Sequence, residues 1–321
     1  MSTAWRPVAT LQALRQRAAL LDCVRAFFRA RGVLEVETPA VLAYTVTDVQ
    51  IESLTLTTVP ARYLQSSPEY PMKRLLAAGS GDIVQICRVF RAGERSRLHN
   101  PEFTMIEWYR LDHGLHAIMA ETAALAAELL RCAGRSPPPV QLLSYRDAFQ
   151  AKLGCDPLSA CRAELDELCA KLGLATQSIA TATRDDLLDF LIATQVGPGL
   201  GRDHLTCLHH FPAAQAALAQ IDAEDPRTAL RFELYAEGVE LANGYVELGS
   251  SNEQRQRFRA DQVERQRRGL AQPEMDVRLL AALEHGLPPC AGVAMGFDRV
   301  AMLACGTTSI DAVQAFPWEN A

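Results

Sequence analysis

Two strand-like runs, Ile83–Phe90 and residues 103–110, flank a loop that reads Arg91-Ala92-Gly93-Glu94-Arg95-Ser96-Arg97-Leu98-His99-Asn100-Pro101-Glu102. An apolar strand, an arginine-rich loop and a second strand make a hairpin, and a chain organised around one is committed to antiparallel sheet. Such a loop can wrap a polyphosphate and a flat base. Arginine offers a forked donor matched to phosphate oxygens, and Phe103 offers a face for stacking. A solvated hairpin loop would look the same in isolation.

A second stretch, Gly292-Val293-Ala294-Met295-Gly296-Phe297-Asp298-Arg299-Val300-Ala301-Met302-Leu303, reads as a small-residue strand running into a helix. Its glycines let a ligand approach the backbone closely, and Arg299 projects from the junction. Neither G-x-x-x-x-G-K-[ST] nor G-x-G-x-x-G occurs, so an ATP site in this chain needs another architecture.

Around these two stretches, Leu11, Leu14, Ala18, Leu21, Val24 and Phe28 recur at helical spacing and predict an amphipathic helix over 11–31, ended by Gly32. Strands are expected at 33–39, 51–58, 205–211 and 230–248, the last turning at Glu237-Gly238. Helices are expected at 71–78 and 116–132, and polar helices at 251–269 and 274–286. Residues 135–140 form a proline-rich linker, and 141–200 read as a helix-rich insertion. The whole is expected to be one α+β domain spanning 1–321, a mostly antiparallel sheet flanked by helices.

The formal charge of −6 speaks against a chain whose main task is gripping a nucleic-acid backbone. Nine cysteines, an odd number without a Cys-x-x-Cys pair, predict neither a disulfide framework nor a zinc site. With no signal core and no membrane-length apolar run, the expectation is a soluble cytoplasmic protein.

Together, the run Phe90-Arg91 with His99-Asn100-Pro101-Glu102-Phe103-Thr104-Met105-Ile106-Glu107-Trp108-Tyr109 and the stretch ending in Asp298-Arg299 resemble motifs 2 and 3 of class II aminoacyl-tRNA synthetases, in their lysyl branch. The helix at 11–31 and the strand ending at Pro39 resemble motif 1, which implies a homodimer. The resemblance extends over nearly the whole chain and implies the class II catalytic core as the fold.

It also implies roles. Arg91 would hold the α-phosphate of ATP and the amino-acid carboxylate, and stabilise the charge of the transition state. His99 and Asn100 match the segment that contacts the nucleotide. Phe103 and Arg299 match the residues that sandwich adenine, and Leu241 and Gly296 fall within the same ATP-binding segments. Glu240 and Glu247, in Glu-x-x-Asn-Gly-x-x-Glu, would hold Mg²⁺ against the phosphates. On an unbroken strand these two carboxylates face opposite ways, so a bulge at Asn243-Gly244 is expected to restore their phase. Ser67-Pro68-Glu69 resembles the loop in which a glutamate captures the substrate's α-amino group. Glu107 and Tyr109 resemble the residues that hold a lysine ammonium, with Glu247 also bordering that pocket.

Two positions depart from the lysyl pattern. Phe-Arg-Asn-Glu is replaced by Phe90-Arg91-Ala92-Gly93, which moves the carboxylate to Glu94. Ala294 stands where glycine is usual, and its methyl would narrow the pocket and favour a shifted amine. Such a group changes discrimination by about 1–3 kcal/mol. Motif 1 begins so early that no anticodon-reading barrel is expected before it. An activation core without that barrel resembles the elongation factor P–(R)-β-lysine ligase family. The resemblance implies ATP-dependent activation of (R)-β-lysine and its transfer to a lysine ε-amine of elongation factor P, with tRNA an unlikely partner. The residues leave other readings open: charging of an RNA acceptor, release of the adenylate to make a small amide, or a non-catalytic lysine-binding paralogue.

Overall fold

The computed structural model describes residues 5–321. These fold as two compact units, one made of the chain up to Pro137 together with Glu247–Ala321, the other of Pro138–Val246. In chain order the first unit contains helix α1 (Leu11–Arg29), short strands β1 (Leu34–Glu35), β2 (Val41–Leu42), β3 (Thr55–Leu56) and β4 (Arg62–Leu64), helix α2 (Glu69–Ala77), strands β5 (Ile83–Phe90) and β6 (Glu102–Leu111), and helix α3 (Leu115–Cys132). The second unit carries β7 (Val140–Ser144), α4 (Tyr145–Leu153), α5 (Arg162–Lys171), α6 (Thr176–Thr181), α7 (Arg184–Leu191), β8 (Leu205–Pro212), β9 (Thr228–Ala236) and β10 (Val239–Val246). The chain completes the first unit with α8 (Ser251–Arg267), α9 (Val277–His285), β11 (Cys290–Gly296) and α10 (Phe297–Ala304).

In the first unit β5, β6 and β11 pair antiparallel, and β1 lies parallel to β5. In the second, β8, β9 and β10 pair antiparallel, and β7 lies parallel to β8. The class is therefore α+β with a mostly antiparallel sheet and flanking helices, as the sequence predicts. Among the described residues no helix is long and apolar enough to cross a membrane.

Local chemistry explains most boundaries. Thr10 caps α1 by accepting the amide of Ala13 at 3.1 Å, and Gly32, at φ +70°, turns the chain out of it. Buried Phe28 on α1 lies 5.3 Å, ring to ring, from Trp108 on β6. Glu237 and Gly238 both have positive φ and form the tight β9–β10 turn expected there.

Three expectations need correction. The strand at 33–39 shrinks to Leu34–Glu35 plus one further bond from the amide of Val36 to Val84, and Pro39 further along has no amide to pair. The strand at 51–58 is only Thr55–Leu56, because its partner β4 is three residues long. The helix at 274–286 is not polar: it starts after Asp276, whose carboxylate caps it, and buries Leu279, Leu280 and Leu283.

Candidate active site

Side-chain alternation on β6 puts Phe103, Met105, Glu107 and Tyr109 on one face. The register extends that face on both sides. On β5, Gln85 lies opposite Glu107 and Ile83 opposite Tyr109. On β11, Gly292 lies opposite Tyr109, Ala294 opposite Glu107 and Gly296 opposite Met105. The other face of β6 carries Ile106 and Trp108 into the core. Residues singled out separately in two distant motifs thus share one surface of the first unit.

Helix α2 completes this surface. Met72 and Leu76 bury against Ile83, Tyr109 and Cys290, which fixes the helix over the sheet. At its N-terminal end, after Pro68, the Ser67 hydroxyl donates to Glu107 at 2.7 Å and accepts the Glu69 amide at 3.0 Å. Tyr109 donates its hydroxyl to the other Glu107 oxygen at 2.7 Å. Glu107 is 2% exposed. Burial, and then the charge of Glu69, push its carboxyl up to about 8, against the pull of the Ser67 and Tyr109 hydrogen bonds.

The sequence reading did not single out Lys73. This side chain is buried, and its ammonium lies 2.7 Å from Glu69 Oε1 and 2.6 Å from Glu247 Oε2. Burial alone would lower its pKa, yet Glu247 and Glu69 together hold it well above the ordinary lysine range. Glu247 itself is pushed up to about 7, chiefly by burial and despite Lys73. The Gly292 backbone also bonds to the Glu247 carboxylate, and a Cβ at Gly292 would collide with both that carboxylate and the Tyr109 ring. Glycine at 292 is therefore demanded by close packing. The only signal for Lys73 in the sequence is its i,i+4 spacing from Glu69, which is ordinary on helices.

The loop between β5 and β6 is not a solvated hairpin tip. Arg95 pairs with Asp311 at 2.9 Å and with Glu319 at 2.6 Å, and Arg97 donates to the Thr308 carbonyl. Arg91 donates to the Ser66 carbonyl at 3.3 Å, beside the Ser67–Glu107 corner, and its guanidinium lies 5.3 Å from the Phe103 ring centre. Gly93 takes a left-handed φ of +75°, and Glu94 comes within 3.8 Å of Arg91. Arg299 reaches His99 Nε2 at 2.7 Å and the Leu98 carbonyl at 3.3 Å. Asp298, just before it, accepts the Thr104 amide at 2.6 Å and pairs with Arg17 at 2.5 Å. The strand-to-helix junction is thereby tied to the loop nearly 200 residues earlier in the chain. Asn100 is held within the protein: its carboxamide donates to the Glu102 carbonyl and accepts the Trp318 amide. In this structure it locks the loop's own backbone.

Glu240 and Leu241 belong to the second unit. Glu240 lies opposite Tyr235, and the register slips between Glu240 and Ala242. The bulge is therefore at Leu241, not at Asn243-Gly244, which stay in register with Glu233 and Phe232. A buried group beside it also escaped the sequence reading. Glu233 pairs with Arg231 at 2.6 Å and accepts the Tyr235 hydroxyl at 2.7 Å. Burial and then Glu240 raise Glu233 to about 7.

Among the described residues no group of three or more His, Cys, Asp or Glu is arranged to hold a metal. A magnesium ion at Glu247 would share that carboxylate with the Lys73 ammonium. Magnesium commonly needs only one or two carboxylates when phosphate supplies its other oxygens, and Glu240 is the more exposed of the pair. The donor set fits a metal brought in with a phosphate ligand and does not fit a protein-only cage.

Comparison with known proteins agrees with this geometry. The family model of tRNA synthetases class II (D, K and N) matches residues 3–320. A Klebsiella pneumoniae protein named elongation factor P–(R)-beta-lysine ligase is 48% identical, over 99% of this chain and 98% of its own length. Proteins of the same name from Pectobacterium carotovorum and Pasteurella multocida are 47% and 46% identical, over 100% and 99% of this chain and 99% and 98% of their own lengths.

Proposed function

The chain belongs to the tRNA synthetases of class II (D, K and N) and, within them, to the elongation factor P–(R)-β-lysine ligase family; on that premise we propose that this ligase activates (R)-β-lysine with ATP and transfers the acyl group to a lysine ε-amine of elongation factor P. The observation that carries the reading is the charge of the pocket. Glu69 and Glu247 share a single ammonium, that of Lys73, and the charges of both act on buried Glu107. Ionised, the three leave an excess of two negative charges in a buried site. Buried charge without compensation is costly, and a substrate with two ammonium groups supplies the missing counter-charge. The Ala294 methyl stands beside Glu107, where it would shape the pocket around the amine nearer the carboxylate.

Arg91 lies between the amine pocket and the Arg-rich loop. It is the group to bind both the amino-acid carboxylate and the α-phosphate, and to stabilise charge as the carboxylate oxygen attacks phosphorus and pyrophosphate departs. Phe103, His99, Arg299, Glu94 and Gly296 are the first-unit groups proposed to bind the nucleotide, and Leu241 is the residue proposed from the second unit. Glu247 would hold the Mg²⁺ that accompanies ATP, with Glu240 of the second unit the other carboxylate that the resemblance assigns to it; the ion would offset phosphate charge. In the second step the neutral ε-amine of the acceptor attacks the acyl carbon and AMP leaves, giving an amide. The working assembly is a homodimer, and its place is the cytoplasm.

The test is ATP–pyrophosphate exchange with α-lysine and with (R)-β-lysine, followed by labelling of elongation factor P against bulk tRNA. Exchange that prefers (R)-β-lysine, with hydroxylamine-resistant label on one lysine of the protein, is the expected result. Base-labile label on tRNA alone would replace the reading with an RNA-charging one.

A further inference from the structure

We propose that Lys73 is a positioning residue that clamps Glu69 to Glu247 and so sets both the spacing and the charge of the amine pocket. The inference rests on the diamine reading given above. Helix α2 presents Glu69 and Lys73 one turn apart on the same face, while Met72 and Leu76 anchor the helix against Ile83, Tyr109 and Cys290. The ammonium is therefore delivered to a fixed point. There it meets one carboxylate from its own helix, at 2.7 Å, and one from the segment after β10, at 2.6 Å.

Stability is a poor reason for this arrangement. Two ions withdrawn from water rarely return more than their desolvation cost, and well-packed apolar residues in the same space are often at least as stable. Function is a better one. Glu247 is already fixed by the Gly292 backbone on one side. Lys73 ties the Glu69 carboxylate to that fixed point. Without Lys73 the two neighbouring carboxylates would repel and move apart. The pocket would then lose the geometry that recognises the substrate. The charges that act on Lys73 are those of Glu247 and Glu69, and Lys73 in turn acts on the buried Cys290 thiol.

The experiment compares Lys73→Ala and Lys73→Gln with the parent enzyme in ATP–pyrophosphate exchange, each variant checked for a folded circular-dichroism spectrum. The expected result is a KM for (R)-β-lysine raised tenfold or more, with the KM for ATP within twofold of the parent. Added methylammonium or ethylammonium should partly restore amino-acid affinity to Lys73→Ala, by entering the space between the two carboxylates. A folded variant with unchanged amino-acid KM overturns the proposal, as does an equal rise in both KM values. If neither variant folds, Lys73 is a folding element and the proposal is likewise overturned. Failure of the parent enzyme to exchange with any lysine isomer is a different result, which removes the activation reading itself.

Discussion

Lys73 Nζ and Glu247 Oε2 lie 2.6 Å apart, and both side chains are only 1% exposed. One comes from a helix near the N-terminal end of the chain and the other from the segment that leaves β10. Their meeting joins the Ser67-Pro68-Glu69 loop to the acidic strand motif, and with Glu107 it defines a wall of carboxylates around one ammonium.

Amino-acid binding should depend on pH in a defined direction. Glu107 is held up to about 8 and Glu247 to about 7 in the ligand-free protein. Both must be ionised to pair with ammonium groups. Affinity for a diamine should rise from pH 6 to about 8 and fall again as the amine loses its proton near 10. Calorimetric titration in buffers of different ionisation enthalpy should show proton release on binding near pH 7. Affinity that is flat across pH 6–8 would contradict the buried-carboxylate account.

The same groups set the stability of the ligand-free protein. Their folded pKa values lie above the unfolded value of about 4.3, so the folded state holds more protons between these limits. Their contribution is complete below the unfolded pKa and is lost as pH rises through 7 and 8. Melting temperature without ligand should therefore fall from pH 5.5 to 8.5. Saturating diamine should stabilise more at pH 8 than at pH 6. Thermal scans at three pH values, with and without lysine, measure both trends.

Gly292→Ala should damage the pocket directly. The added methyl meets the Glu247 carboxylate and the Tyr109 ring, both held in place by other contacts. Overpacking of this kind costs about 1–3 kcal/mol in stability. The KM for the amino acid should rise more than the KM for ATP. An active variant with a parental amino-acid KM would show that the wall can yield.

Arg91→Ala should leave the fold intact and lower the rate of pyrophosphate exchange by about 10²–10³, the usual loss on removing one preorganised donor at a developing charge. Arg299→Ala removes bonds to His99 and to the Leu98 carbonyl. Bonds involving a charged group are worth about 1.5–3 kcal/mol. The KM for ATP should rise about tenfold or more, while amino-acid affinity measured without nucleotide stays unchanged.

Assembly can be tested at Leu34, 54% exposed on a two-residue strand, and at Val41, 45% exposed just beyond it. If this region is the two-fold interface, Leu34→Glu should give a monomer by sedimentation at micromolar concentration, whereas the parent protein sediments as a dimer. Two species of equal mass would move the interface elsewhere.

Much of the molecule was legible from its sequence. The resemblance picked out Phe103, Glu107 and Tyr109, and β6 carries all three on one face because a strand repeats every two residues and β6 is regular over its length. Helical spacing located α1 within a few residues, the helix expected at 116–132 is α3, and the Glu237-Gly238 pair located a turn. Local rules sufficed wherever the determining forces act between neighbours in the chain. They failed where the deciding partner was distant. The bulge fell at Leu241, since register is settled by the partner strand β9 and not by the glycine two residues beyond. Lys73 looked like any helical lysine four residues after a glutamate, and only the arrival of Glu247 and the burial of α2 against the sheet made it the cation of the pocket. Sequence alone determined the elements and the chemical types of the site. Tertiary structure decided which charges share one dry space, because desolvation and Coulomb attraction depend on what is packed nearby and not on what is adjacent in the chain.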